Sequence, residues 1–449
     1  MDPLMKTNQS SRAISRGSAC RALMGIGLLV IGAPASAATI VVTTTADTGA
    51  DSFRQAVLSA NPGDTITFDL PAASNITLFS PVIIDKNLTL QGPGRDDLSL
   101  SGHGNRVLEV GAGVTAVIGN LEVTNGVAET GGGFSNHGTT TVSDCSFTAN
   151  STGLGASVGG NRGGAIYNDG DLTVSNCHFA GNIALGTDVA VSGIGGAIEN
   201  VGTALIERSS FVSNQAYFYG GAIDNTGMLT VIGSTFSDSA FSSGNQSKEG
   251  GAIYNVGTLV VDSSTFVGNL AHRGGAIRNF AGSATVTNST LVKNTASSGG
   301  GAIWNQASMS IIGSTIAENS SPAGPAIFNY ESVVIRRSLF AFNDCYPMQG
   351  SITSEGDNLL FGAQACVQAS EALNDRINVD PLLLALADNG GPTMTRMPAA
   401  GSPAIDEVRV SACTGFDQRG ISRPQGSRCD IGAVEVEIVD LIFKNGFDP

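Results

Sequence analysis

Between residues 131 and 343, polar and small residues alternate with short apolar runs such as "LTV" (172–174), "LVV" (259–261) and "SII" (310–312). A small residue follows each run, and then one large apolar residue: Phe147, Phe179, Phe211, Phe236, Phe266, Leu291, Ile316, Phe340. Runs of three to five with a period of two are strands, not helices. Gly and Asn punctuate them, as turn residues do. The punctuation itself repeats. "GGAIYN" stands at 163–168 and again at 250–255, with near-copies beginning at Gly195, Gly220, Gly274 and Gly300 and weaker ones at Gly131 and Gly324.

Aligned on the final Asn of each copy (Asn136, Asn168, Asn200, Asn225, Asn255, Asn279, Asn305, Asn329), the steps are 32, 32, 25, 30, 24, 26 and 24 residues. A second Asn follows 14 or 15 residues later in every copy but one, where Ser239 stands. A block of about 20 residues is therefore constant, and length varies only between the second Asn and the next Gly pair. Three short strands in each repeat of this length make one rung of a parallel β-solenoid. Rungs stack at about 4.8 Å, so equivalent residues touch. Phe then stacks on Phe inside, Asn passes amide hydrogen bonds from corner to corner, and Gly supplies the positive φ of the corner. A repeated calcium loop would need "GGxGxD", which is absent. Cys145 and Cys177 occupy one rung position, and either a disulfide or a ladder of free thiols fits.

The ends of a solenoid need covers. "DSFRQAVLSANPGD" (51–64) predicts a capping helix, with Ser52 and Gln55 as a capping box and Pro62-Gly63 as its stop. The boundaries expected are 38–130 for the cap and irregular first rungs, 131–343 for the regular rungs, 344–436 for a C-terminal region and 437–449 for a tail. The variable connections lie on one edge. Beside that edge, the fifth position of "GGAIxN" should point away from the core: Tyr167, Glu199, Asp224, Tyr254, Arg278, Trp304, Phe328. Two readings follow. Either this is an outer ladder packed or covered by the loops, or Tyr254, Arg278, Trp304 and Phe328, with Tyr217 and Tyr219 from the adjoining loop, form a glycan-binding face.

Composition and charge narrow the function. Gly is 59 of 449 residues, charged residues are only 14%, and the net charge is −15. Residues 1–37 have the layout of an export signal: basic residues Lys6, Arg12, Arg16 and Arg21, the apolar stretch "ALMGIGLLVIGA" (22–33), and "ASA" before Ala38. Its removal takes four of the 23 basic and one of the 38 acidic residues, leaving −18. Such a chain is a poor ligand for nucleic acid or anionic lipid, and no other segment reads as a membrane span. Six cysteines remain in an oxidising compartment. The local pairs Cys345 with Cys366 and Cys413 with Cys429 are the expected disulfides.

These residues also carry resemblances. "ADTGADSFRQAVLSANPGDTITF" resembles the N-terminal segment of secreted bacterial proteins named for a "CSLREA" motif, with Asp51 where Cys is usual. The "GGAIxN" rungs are similar to those of chlamydial-type polymorphic outer membrane proteins. The stretch from "LADNGGPTMTRMPAAGSPAIDE" to "SRCDIGAVE" resembles the choice-of-anchor family of secreted β-helix proteins. The resemblance implies a right-handed parallel β-helix of the pectin-lyase-like kind, exported and displayed at, or released from, the cell surface.

Many such helices cut acidic polysaccharides. "SGHGN" (101–105) contains the Gly-His-Gly of polygalacturonases, but no Arg-x-Lys accompanies it. Glu199 and Asp224 stack in adjacent rungs with Arg278 two rungs beyond, a thin likeness to the ligand and base set of a lyase. The sequence thus predicts an all-β solenoid with a helical cap and a disulfide-containing C-terminal region, exported by the Sec pathway and monomeric. It needs no cofactor or metal, and its partner is a cell-surface or extracellular polysaccharide. A polysaccharide lyase or glycoside hydrolase is the alternative.

Overall fold

A computed structural model describes residues 37–153, 160–186, 192–237, 249–322, 326–343, 350–362 and 373–437. Cys345, Cys366, residues 1–36 and residues 438–449 lie outside them. The described chain coils into a right-handed parallel β-helix, the hand that parallel crossovers take. Each regular rung contributes a strand to three sheets, and all pairing between rungs is parallel. Sheet III holds the "IxN" strands such as Ile166–Asn168, sheet I the five-residue strands such as Asp171–Ser175, and sheet II the Phe strands such as His178–Ala180.

The core columns follow the repeat letters. Phe147, Phe179, Phe211, Phe236 and Phe266 stack face to face with centroids 4.7–4.9 Å apart. From Asn136 to Asn329, each Asn Nδ2 donates to the Oδ1 of the next rung at 2.7–2.8 Å. The second column runs Asn150 to Asn214 and Asn269 to Asn343 in the same manner. All these amides are needed, because a buried corner leaves backbone and side-chain polar groups no water. Cys145 and Cys177 are free and buried. They stack as a pair of free thiols, not a disulfide, and begin a third column whose serines are legible in the sequence only as a small residue after each strand. The backbone N–H of Cys145 donates to Cys177 Sγ, that of Cys177 to Ser209 Oγ, and Ser234, Ser264, Ser289, Ser314 and Ser338 continue the chain.

Both glycines of the pair are required, for different reasons. The first has φ between +54° and +71° in each described copy from Gly131 to Gly300. The second faces the rung beyond it: a Cβ at Gly275 would lie 2.1 Å from the Gly301 carbonyl oxygen.

The helix Phe53–Ser59 covers the N-terminal end as expected, with Ser52 accepting from the Gln55 N–H and Phe53, Ala56 and Val57 buried. Beyond Asn343 the motif ceases but the sheets do not. Ser351–Ser354 extends sheet I, and Leu359–Phe361 and Arg376–Ile377 extend sheet II. The chain then doubles back along the outer face of sheet II. Thr265 Oγ1 donates to Met394 O, Thr290 Oγ1 to Gln418 Oε1, and the Ala433 N–H to Thr315 Oγ1. Cys413 and Cys429 are disulfide-bonded in this region, as the sequence predicted. Among the described residues no helix is long and apolar enough to cross a membrane.

Candidate functional site

The fifth positions of "GGAIxN" stack in register along the outer side of sheet III: Tyr167, Glu199, Asp224, Tyr254, Arg278, Trp304, Phe328. They point away from the isoleucine core, as alternation requires. They are not, however, a solvent face. Glu199, Asp224, Tyr254, Arg278 and Trp304 are all buried, and only Tyr167 and Phe328 are partly exposed. The cover is the residue just before each Gly pair. Arg162, Ile194, Tyr219, Glu249 and Arg273 form their own parallel ladder of bridges, and their side chains fold over the row beneath.

The contacts between the two rows are specific. Tyr219 stacks on Tyr254 at 4.2 Å between centroids, Glu249 Oε2 accepts from Arg278 Nε at 2.6 Å, and the Arg273 guanidinium lies 5.0 Å from the Trp304 ring centroid. Trp304 in turn stacks on Phe328 at 4.0 Å. Arg162 pairs with Glu199 at 3.3 Å, and Arg273 and Arg278 both pair with Glu249. Of the six residues expected to form a glycan face, Tyr254, Arg278 and Trp304 are therefore inside this double layer, and Tyr217, Tyr219 and Phe328 are half-buried at its rim.

Glu199 and Asp224 form a carboxyl pair with almost no exposed surface. Burial raises Glu199 well above the ordinary carboxylate range, the Asp224 charge raises it further, and only Arg162 at 3.3 Å opposes this. Burial also lifts Asp224, to about 6, although hydrogen bonding from Glu199 and the charge of Arg162 pull it down. Burial and the Asp224 charge both favour the protonated, neutral form of Glu199. A carboxyl raised in this way holds its proton more tightly folded than unfolded. Its stability contribution is greatest at acid pH and is lost as pH rises through the folded value. Parent protein should therefore lose stability between pH 5 and pH 8, and Glu199→Gln, which cannot titrate, should flatten that slope. Denaturant midpoints of both proteins at the two pH values measure it, and identical slopes would contradict the raised Glu199 carboxyl. Asp430, raised to about 7 by burial and by Glu435, contributes a slope common to both proteins.

Two other constellations emerge. Ser135 Oγ lies 3.1 Å from His137 Nε2, and His137 Nδ1 lies 2.8 Å from Asp169 Oδ1. The order is that of a nucleophile, a base and its orienting carboxylate. Ser135 nevertheless has no exposed surface, so its hydroxyl cannot meet a substrate carbonyl; the chain serves as a surface hydrogen-bond network. His103 of "SGHGN" is exposed at φ +45° in a turn, with Phe79 edge-on at 5.4 Å, which is a turn residue's place.

Just past each corner Asn, a further row does reach solvent. Val201, Phe280 and Tyr330 are 40%, 46% and 38% exposed. Phe280 leans on Tyr254 and on the Arg278 guanidinium, and Tyr330 on Trp304 and Phe328. These residues escaped the sequence reading because they follow the motif instead of standing in it.

Residues 288–306, which hold one corner Asn pair and "GGAIWN", match the Chlamydia polymorphic membrane protein repeat. Among solved structures, the crystal structure of pectate lyase Pel9A aligns with a TM-score of 0.44 and 13% identity, over 89% of this chain and 96% of that one. A search of curated proteins finds no match.

Proposed function

We propose that the chain is an exported surface protein of adhesin-like or structural type that binds polysaccharide without cutting it. Residues 1–37 act as its export signal, 38–130 as cap and first rungs, 131–343 as the repeated shaft, 344–436 as a choice-of-anchor-like region and 437–449 as a sorting tail. The observation that carries the binding role is the exposed aromatic pair Phe280 and Tyr330. They stand two rungs apart, roughly 10 Å at the strand spacing, and each rests on the buried layer of Tyr254, Arg278 and Trp304, with Phe328 at its rim. Rigid exposed rings lose little entropy on binding, and their faces suit the apolar faces of sugar rings. Phe328, Tyr217 and Tyr219 supply the rim, while Tyr254, Arg278 and Trp304 act from beneath by holding the rings in place. The polysaccharide lyase reading loses its carboxylates, since Glu199 and Asp224 are sealed under Arg162 and its neighbours.

The test is a glycan array with the full chain and with Phe280→Ala/Tyr330→Ala, which removes only exposed side chains. Binding should fall at least tenfold, about 1.4 kcal/mol, with the melting transition unchanged. Undiminished binding would remove the aromatic face from the proposal. Release of an unsaturated, near-ultraviolet-absorbing product from uronides would instead make the chain a lyase. Fractionation of the producing cells should place it in the medium or with the outer membrane.

A further inference from the structure

The outer face of sheet II is covered for only part of its length. Its outward column runs Ser146, His178, Ser210, Thr235, Thr265, Thr290, Thr315, Leu339. From Thr265 onward the returning C-terminal chain buries it. The cover ends at Pro392, whose Cγ would lie 3.2 Å from a Cβ on Gly233. In the N-terminal half, His178, Ser210 and Thr235 stay partly exposed, while Ser146 is nearly buried. There, Arg95 from the turn between the strands Leu88–Gln91 and Leu98–Ser101 and Arg208 from a corner line a pocket of about 320 Å³ with His178, Ser146, Ser210 and Asn176.

The chemistry of this pocket runs against that of the chain. The protein carries −15 overall, yet two guanidinium groups converge here against one acidic lining residue, Asp96. Arg95 Nη1 donates to the Asn176 carbonyl at 3.2 Å, which fixes that side chain against the corner. Arg208 is exposed, and no hydrogen bond or ion pair holds its guanidinium among the described residues. The contrast with Arg337 is informative. That residue sits at the equivalent corner with a similar φ, +51° against +44°, but its guanidinium donates to the Ala412 carbonyl of the returning chain at 2.9 Å. His178 Nδ1 is taken by Ser210 Oγ at 2.7 Å. Burial and the nearby Arg95 charge lower its basicity, so the ring is neutral at pH 7 and offers Nε2 to a hydroxyl.

We infer that this pocket is a subsite for an oxyanion carried on a sugar, a carboxylate or a sulfate, with Arg208 and Arg95 as the anion clamp and Ser146, His178 and Asp96 for ring hydroxyls. Guanidinium forks match planar and tetrahedral oxyanions, and the volume fits about one sugar unit. The site lies on sheet II, away from the Phe280–Tyr330 face on sheet III. The two therefore fail separately, and Phe280→Ala/Tyr330→Ala should leave this one intact.

Calorimetric titration of the full chain uses three probes: an oligogalacturonate hexamer, a heparin hexasaccharide and neutral maltohexaose. At least one acidic probe should bind and maltohexaose should not; which acid binds identifies the source of the anion. Affinity should fall with added salt, since partly exposed charges are screened. Arg208→Asn, which keeps a residue suited to positive φ, should weaken binding tenfold or more, as should Arg95→Gln. Lys293→Gln, an exposed charge on a distant corner, should change it less than twofold. Failure of both acidic probes to bind overturns the inference. So does unchanged affinity in the two arginine variants, or an equal loss in Lys293→Gln.

Discussion

Replacing Phe266 by Ala should cost the solenoid about 3–5 kcal/mol, the range for truncating a large core aromatic. The ring is fully buried, 4.7 Å from Phe236 on one side and in register with Leu291 on the other. The gap cannot close by collapse. Backbone hydrogen bonds hold the rungs at a fixed spacing, and the Asn columns at both corners brace them. Met228→Ala is the matched control. Its side chain opens a sheet I strand and is 59% exposed, so its loss should stay within about 0.5 kcal/mol. Solenoid stability is nearly a sum over neighbouring rungs. Amide exchange should therefore accelerate first in the strands Thr235–Ser237 and Thr290–Val292 that flank the cavity. Equal denaturant midpoints for the two variants would contradict the continuous column.

Arg423→Ala should be comparably severe, by about 3–5 kcal/mol, because it removes one partner of a buried ion pair. The guanidinium donates to Glu435 Oε2 at 2.9 Å and to the carbonyls of Asp430 and Gly432, and both charged side chains are almost wholly buried. Without it, Glu435 and Asp430 face each other with no cation between them. The carboxyls can escape the penalty only by taking up protons. The loss should therefore shrink at pH 5, below the value of about 7 to which Asp430 is already raised. The damage should appear as release of the returning chain from sheet II. Gln418, which bonds Thr265, Thr290 and Thr393 together, would lose its seat, and limited proteolysis should cut within 373–437 first. Resistance equal to the parent's at pH 8 would show that the pair does not hold this region.

The columns were legible because a repeat writes the same requirement in every rung. Phe above Phe, Asn above Asn and the two glycines of each pair are dictated by a 4.8 Å stack, and a one-residue change of register would turn each column inside out. The capping helix was legible for a similar reason, since Ser52, Phe53 and Pro62 are local signals. The Cys413–Cys429 bridge also followed from position in the chain. The exposure of the outer ladder did not. Alternation says only that Tyr254, Arg278 and Trp304 point away from Ile253, Ile277 and Ile303. Whether they meet water depends on Tyr219, Glu249 and Arg273, members of a row with no constant letter.

The sequence by itself determined the coil, its inward columns, its corners and the edge on which its loops vary. Those properties repeat from rung to rung, and each is enforced by contacts between equivalent residues. The tertiary structure alone decided which outward faces stay open. The residues before each Gly pair close over sheet III and make Glu199 and Asp224 a buried carboxyl pair. The chain after Ile377 returns along sheet II and stops at Gly233, leaving Arg95 and Arg208 facing an open pocket. These contacts join positions with no common period, 113 residues apart for the two arginines. A repeat carries no record of them, because only the path of the folded backbone brings such residues together.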